Sequence, residues 1–499
     1  MKASQRLLVK KSVNPANFNK GGLEKTLSAF SLTMMGVGAI VGSGIFITPG
    51  IIAAKYAGPA AMLSFVIAAV VCSLAALCYA EFSSTIPLAG SAYTYVYTVF
   101  GEFLAWILGW SLISEYLFAV SSVAVSWSSY FQNLMSGFGL KLPTFLTAAA
   151  GTAGVSGAGF NLIAFVVVLA VSLLLVGGLQ ESTRVNSIMV IVKILVIVLF
   201  IGVAIFFVKP ANYHPFMPHG VSGLVKGASL AFYAYIGFDA VSTASEEVKN
   251  PKRNMPIGIV GSLVVASILY VAMAAVLVGV VHYSKLNVGD PVAYALAVIH
   301  QNWAAGIVSL GAVVGMTTVL IVMLYGGTRL LFAISRDGLL PKVFRTVSPH
   351  TKVPVKSTWI FGIIASVFAA VIPLDKIAEL VNIGTLFAFA MVSIGVVFLR
   401  RHETLQQINS SFKVPFYPVL PVVSFLACVY LMLNLQAFTW HMFGIWLVIG
   451  IVIYFAYSSA LPYSSRVTCQ RIKIVINSGC LPGRVSTHSF AATKLWDML

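Results

Sequence analysis

Twelve apolar runs, each long enough to cross a lipid bilayer as a helix, succeed one another along this sequence. They cover about residues 30–52, 59–80, 101–131, 161–177, 187–208, 227–245, 257–281, 304–333, 357–373, 377–399, 419–437 and 441–459. Crossing the hydrocarbon takes about 20 apolar residues per helix. Composition points the same way, with 59% hydrophobic and only 9% charged residues and a mean hydropathy of +0.95. A soluble domain carries about 25% charged residues, and a single soluble core stops growing near about 250–300 residues. Lipid is therefore the expected solvent, and the expected fold class is an all-α integral membrane protein with twelve transmembrane helices.

An even number of spans puts both termini on one side. With the N-terminus inside, the basic residues sort: six in the leader, three in Lys249–Arg253, five from Arg336 to Lys356 and three in Arg400–Lys413 lie inside. The outer side holds Lys55, Lys141, Lys209, Lys226, Lys285 and Lys376. Basic residues collect in cytoplasmic loops, so both termini are expected there. This bias also accounts for the formal net charge of +17 without a nucleic-acid partner. The leader, residues 1–27, is polar and basic and has no cleavable signal pattern. Connecting loops are short, the longest being external near 134–160 and 282–303, so no inserted soluble domain is expected. Residues 460–499 read as a polar cytoplasmic tail to which no role is assigned. Asn409-Ser410-Ser411 matches a glycosylation acceptor but falls on the cytoplasmic side. The five cysteines are odd in number and lack ligand spacing: Cys72, Cys78 and Cys428 lie in apolar runs and Cys469 and Cys480 in the tail. Neither a disulfide framework nor a metal or other cofactor is expected.

Three ionisable side chains, Glu115, Lys193 and Asp239, lie inside apolar runs. At a helix centre each costs about 2.5–3.5 kcal/mol, so such residues face a cavity or a partner and mark pathways. The alternative is a structural ion pair or, for Asp239 near the end of its run, a local cap. Backbone breakers are the second signal. The first run reads Gly36-Val37-Gly38-Ala39-Ile40-Val41-Gly42-Ser43-Gly44-Ile45-Phe46. Each glycine costs a helix roughly 0.8–1 kcal/mol against alanine, so four together disfavour a continuous helix. Close packing through Gly38 and Gly42 is the competing explanation, but it does not cover the denser Gly42-Ser43-Gly44 cluster. The sixth run carries its own glycine in Tyr233-Ala234-Tyr235-Ile236-Gly237-Phe238-Asp239. An offset of five runs is where a five-plus-five inverted repeat places corresponding broken helices. Half-helix N-termini there face anionic groups, while freed carbonyls hold cations. An amino acid zwitterion carries both charges. A membrane enzyme would need a nucleophile, a metal cluster or an acid/base pair, and no such constellation stands out.

Gly36 to Phe46 resembles the first-helix motif of the amino acid–polyamine–organocation superfamily. Tyr233 to Asp239 with Glu246-Glu247-Val248-Lys249-Asn250-Pro251, and the segment Arg329 to Leu340, resemble its sixth helix with the following loop and the end of its eighth helix. Together they are similar to bacterial members of the cationic amino acid transporter branch, from about residue 22 to 457. The resemblance implies an inverted-repeat core of ten helices over residues 28–400 and two peripheral helices over 401–459. It places the substrate carboxylate at the Gly44 amide and at the Ser43 hydroxyl and amide, with Gly42 in the same unwound stretch. The ammonium falls to the carbonyls of Ile40, Tyr233 and Ile236. Lys193 matches the fifth-helix lysine that replaces a sodium ion in proton-coupled members, since an ammonium is a switchable point charge.

These assignments predict proton-coupled amino acid uptake by alternating access in the cell membrane, with protonated Lys193 tying the first helix to the eighth near Thr317 and Thr318. Met323 aligns with the side-chain pocket, where it would shorten the pocket and favour small or medium neutral amino acids; filling a packing gap is the alternative. Glu115 is expected to pair with a cationic side chain or to act as a second proton site. The expected partners are the amino acid, protons and lipid, with room for a small accessory membrane subunit. Rival readings are a sodium symporter, an exchanger or a cationic amino acid transporter of the same fold and, more remotely, a channel or receptor.

Overall fold

The computed structural model describes residues 9–10, 27–86, 91–152, 155–177, 183–243, 248–348, 353–401 and 412–458. Most of the leader, Glu246 and Glu247, the Asn409 acceptor sequence and the tail lie outside them. Regular structure among the described residues is helical, apart from isolated bridges joining Leu27 to Val248 and Ala149 to Gly159. Among the described residues, seven helices are long and apolar enough to cross a membrane, and Ala29–Ile40, Leu162–Val176, Val355–Val371 and Val419–Leu433 are shorter apolar helices.

The first run is not one helix. α1 (Ala29–Ile40) starts behind Ser28, whose hydroxyl accepts the Ser31 amide, and stops where Val41 turns to φ −77°, ψ 89°. Gly42, at φ −139° and ψ −135°, leads into the single turn of α2 (Ser43–Phe46). A further non-helical residue, Ile47, precedes α3 (Thr48–Ile52). Then come α4 (Ala61–Thr85), α5 (Ser91–Val99), α6 (Glu102–Gly137), α7 (Leu162–Val176) and α8 (Thr183–Ala204). The sixth run breaks likewise. α9 (Gly220–Ala231) tightens into a 3-10 turn over Phe232–Tyr235, Ile236 is extended, and α10 (Ala240–Thr243) follows. Between Ile236 and α10, Gly237 has φ 120°, which only glycine adopts freely. The chain continues through α11 (Pro251–Val280), α12 (Pro291–Val298), α13 (Asn302–Arg336), α14 (Val355–Val371), α15 (Leu374–Leu399), α16 (Val419–Leu433) and α17 (Ala437–Ile453).

Three elements differ from the hydropathy reading for local reasons. α11 begins at Pro251 rather than near residue 257, because Asn250 takes the left-handed conformation and proline opens the helix. A proline at this position gives up an amide that would be unpaired anyway. α5, short and rich in hydroxyls, and α12, apolar but only eight residues long, do not register as spanning runs. They occupy matching places, after the second run and after the seventh.

Helices pack in pairs that stand five runs apart: α4 with α11, α6 with α13 and α7 with α14. Around the first break, α1 packs against α11 and α8. Their outer flanks stay apolar, as on α8, where Ile188, Ile191, Leu195 and Val198 are all exposed. An exposed apolar flank of that size marks a lipid-facing surface. At one end of the bundle Arg400 grips Glu81 with two bonds of 2.7 Å, and at the other Lys55 meets Asp375 at 2.8 Å.

A methyl group at Gly237 would lie 2.9 Å from the Ala39 carbonyl oxygen, whereas one at Gly306 in α13 would meet nothing. Gly237→Ala is therefore expected to lower the thermal midpoint in detergent, by the equivalent of about 1–3 kcal/mol of strain. Gly306→Ala should leave it unchanged or raise it slightly, since alanine favours helix by roughly 1 kcal/mol.

Candidate functional site

The two breaks touch each other reciprocally. A Cβ on Gly44 would lie 2.5 Å from the Ala234 Cα, and one on Gly237 would press on the Ala39 carbonyl. Each break thus uses a glycine to approach the backbone of the other. The glycines of the first run also pack closely elsewhere, Gly36 on Ser262 and Gly42 on Val319 of α13. The glycine run thus packs tightly, at Gly36 and Gly42, as well as breaking.

Breaking a helix frees backbone groups that must find partners when buried. The Ile40 carbonyl is one. Tyr270 Oη of α11 lies 2.8 Å from it and 2.8 Å from the Ala234 carbonyl. A phenol has one proton, so it serves one carbonyl at a time and leaves capacity on the other. The Tyr233 carbonyl accepts the Ile236 amide at 3.3 Å. At the opposite edge of the break, Ser43 Oγ lies 2.5 Å from Tyr233 Oη, which lies 2.7 Å from Ser122 Oγ of α6. That chain of hydroxyls joins the first, sixth and third runs. The amides of Ser43 and Gly44 open α2, and Gly42 gives them no side-chain cap.

Lys193 is fully buried. Its ammonium donates to the Gly38 carbonyl at 2.9 Å, and its stem crosses α13 at Gly315, where a Cβ would come within 2.9 Å of the lysine Cγ. The lysine thus contacts both the first and the eighth run, the latter at Gly315, two and three residues before Thr317 and Thr318. The Thr317 hydroxyl donates to the Val313 carbonyl at 2.8 Å and accepts the Trp127 indole N–H at 2.9 Å, and the Thr318 hydroxyl donates to the Gly315 carbonyl at 2.9 Å. Gly315, Val319 and Met323 recur every four residues on one face of α13. The buried Met323 accordingly stands one turn from the Val319–Gly42 contact.

Glu115 is buried on α6, with one carboxylate oxygen, Oε2, lacking a hydrogen-bond partner. It sits beside Gly384 of α15, whose added Cβ would be 3.6 Å from the Glu115 Cβ. Asp239 is buried as well, and its backbone carbonyl accepts the Ser242 amide at 2.9 Å. The structure thus brings together Ile40, Gly42, Ser43, Gly44, Tyr233, Ile236 and Lys193 at the crossing. Met323 lies one turn from it along α13, and Glu115 sits instead at the seam of α6 with α15.

Sequence reading missed three hydroxyls: Tyr270, Ser122 and the side chain of Tyr233. A phenol in mid-run at Tyr270 and the serine-rich stretch Ser121–Ser128 were the available signals. Neither says which backbone group it meets. Tyr270→Phe removes the only proton this side chain offers to Ile40 and Ala234. It is expected to weaken substrate binding about three- to thirtyfold, in line with the roughly 1–2 kcal/mol of a buried hydrogen bond, as read by thermal-shift titration.

Outside the membrane-crossing helices, Asp290 precedes α12 and accepts the Asn133 amide at 2.6 Å. Burial pushes its carboxyl up to about 6, while the Asn133 hydrogen bond pulls the other way. Because the folded value lies above the unfolded one, the folded state holds the proton more tightly. Stability is then greatest below about pH 4 and falls as pH rises to about 6. Asp290→Asn should raise the thermal midpoint at pH 8, by the equivalent of about 1–3 kcal/mol, and change it little at pH 4.

The amino acid permease family model matches residues 27–465. The chain is 50% identical to the methylthioribose transporter of Bacillus subtilis, over 87% of this chain and 94% of that one. It is also 50% identical to the branched-chain amino acid permease BcaP of the same organism, over 89% and 95%. A vacuolar cationic amino acid transporter 4 of Arabidopsis thaliana is 38% identical over 76% of this chain and 64% of its own length.

Proposed function

This chain belongs to the amino acid permease family, and on that premise we propose that it imports neutral L-amino acids together with protons by alternating access. It is a multi-pass membrane transporter and not an enzyme. The reading extends to twelve spans with both termini cytoplasmic, the first ten forming two inverted halves. What supports the repeat is the pairing of helices five runs apart, the matching places of α5 and α12, and the reciprocal contact of the two breaks.

The observation that carries the substrate assignment is the crossing itself. On one side lie the carbonyls of Ile40 and Ala234, on the other the Ser43 hydroxyl and the opening amides of α2. An ammonium suits the first and a carboxylate the second. In this reading the substrate ammonium shares the carbonyls that Tyr270 holds, and its carboxylate displaces Tyr233 from Ser43. Met323 closes the pocket to long cationic side chains, which agrees with the 50% identity to a branched-chain permease. Lys193 supplies the coupling. Its protonated form fastens α1 to α13, and proton release frees the carbonyl of Gly38 and loosens that joint.

A second reading rests on equal identity to a methylthioribose transporter. That sugar carries no zwitterion and would use the Ser43–Tyr233–Ser122 hydroxyls instead. Uptake into proteoliposomes decides between them. The proposal expects leucine, isoleucine, valine or alanine to accumulate under an inward proton gradient, with no response to sodium and weak competition by arginine or methylthioribose. Lys193→Ala should lose gradient-driven uptake by at least about tenfold, equivalent to ~1.4 kcal/mol. Unchanged accumulation in that variant would remove the lysine from the mechanism.

A further inference from the structure

A cleft of about 430 Å³ opens on the flank where α6, α14, α15 and α17 meet, and it shares no lining residue with the crossing. Its volume is that of a site for a small ligand, about 300–1,000 Å³. On α17, Phe438, Met442, Ile445 and Ile449 line it. They repeat at helical spacing over roughly 16 Å of axis, and all four are exposed. The floor is formed by Ser114 of α6 and Ile383 of α15. Lys376, the one charged lining residue, stands at the mouth, its ammonium 5.4 Å from the Phe438 ring centroid. The nearby carboxylates are engaged elsewhere: Asp375 by Lys55 at 2.8 Å, and Glu379 by the Thr439 hydroxyl at 2.7 Å. The cleft is thus an apolar channel, elongated along the helices, with a cationic mouth near the ends of two of them.

We propose that this cleft binds one anionic glycerophospholipid, with an acyl chain lying along α17 and the phosphate on Lys376. A lysine ammonium pairs with a phosphate as a point charge, and a lysine at a helix end extends to the interface, here on the outer side under the proposed topology. The chain's methyl end reaches the floor beside the seam where Glu115 meets Gly384. An occupied cleft therefore braces α6 against α15, and an empty one leaves that seam with a void. The inference needs only that the chain lies in a membrane, and it stands or falls independently of which substrate is carried.

The test is native mass spectrometry of the delipidated full chain titrated with phosphatidylglycerol or with phosphatidylcholine of identical acyl chains. Wild type is expected to retain one phosphatidylglycerol, at least about tenfold more tightly than phosphatidylcholine. Lys376→Gln should erase that preference, Lys376→Arg should restore it, and Met442→Trp, which fills the channel, should lose both lipids. Thermal midpoints in detergent confirm that each variant is folded before it is scored, and Ile445→Trp replaces Met442→Trp should that variant not fold. No head-group preference in wild type, a preference that survives Lys376→Gln, or full retention in the folded tryptophan variant would each overturn the assignment.

Discussion

Everything at the centre of this molecule depends on two helices that stop in the middle of the bundle and touch where they stop. Gly44 lies on the Ala234 backbone and Gly237 on the backbone of Ala39, so neither break has room for a side chain facing the other. Buried, unpaired backbone groups are costly, by about 1–3 kcal/mol each. The surrounding helices meet that demand from three directions. Tyr270 reaches in from α11 to Ile40 and Ala234, Lys193 from α8 to Gly38, and Ser122 from α6 through Tyr233 to Ser43. Satisfaction by side chains, rather than by further helix, makes the crossing adaptable. A hydroxyl or an ammonium can exchange one partner for another, whereas a helical ladder cannot.

The same three side chains link the breaks to different parts of the bundle, which gives the crossing a mechanical meaning. Lys193 spans from the Gly38 carbonyl to the face of α13 at Gly315. Tyr233 and Ser122 tie the sixth run to α6, which itself packs on α13 and α15. A ligand entering between the breaks competes for these contacts and so acts on several helices at once. Under the proposed mechanism, substrate and proton report to the same small region because the backbone groups they address in the first run all lie between Gly38 and Gly44.

Much of this was legible in the sequence, for physical reasons. Apolar runs fix where helices can lie in lipid, and four glycines within Gly36–Gly44 weaken the first of them beyond what packing alone requires. The interruption at Gly237, five runs later, turned a local oddity into a pair, and Lys193 stood out because a charge in an apolar run needs a partner. The partners themselves were not legible. That Tyr270 meets both Ile40 and Ala234 depends on the crossing of α11 over two breaks 190 or more residues apart in effect, and no periodicity encodes it. Nor was it legible that Lys193 would meet α13 at Gly315, close to Thr317 and Thr318, where a glycine leaves room for its stem. The short helices α5 and α12 escaped notice because eight or nine residues are too few to read as a membrane span.

Under the proposed function, the crossing of the two broken helices holds an ammonium on one side and a carboxylate on the other. Equilibrium binding to the purified protein tests it most directly, comparing leucine with its methyl ester and with N-acetyl-leucine, which lack one charge each. The account predicts that leucine binds and that each modified form loses at least about tenfold in affinity, equivalent to ~1.4 kcal/mol. Equal binding of the ester or of the acetylated form would contradict it.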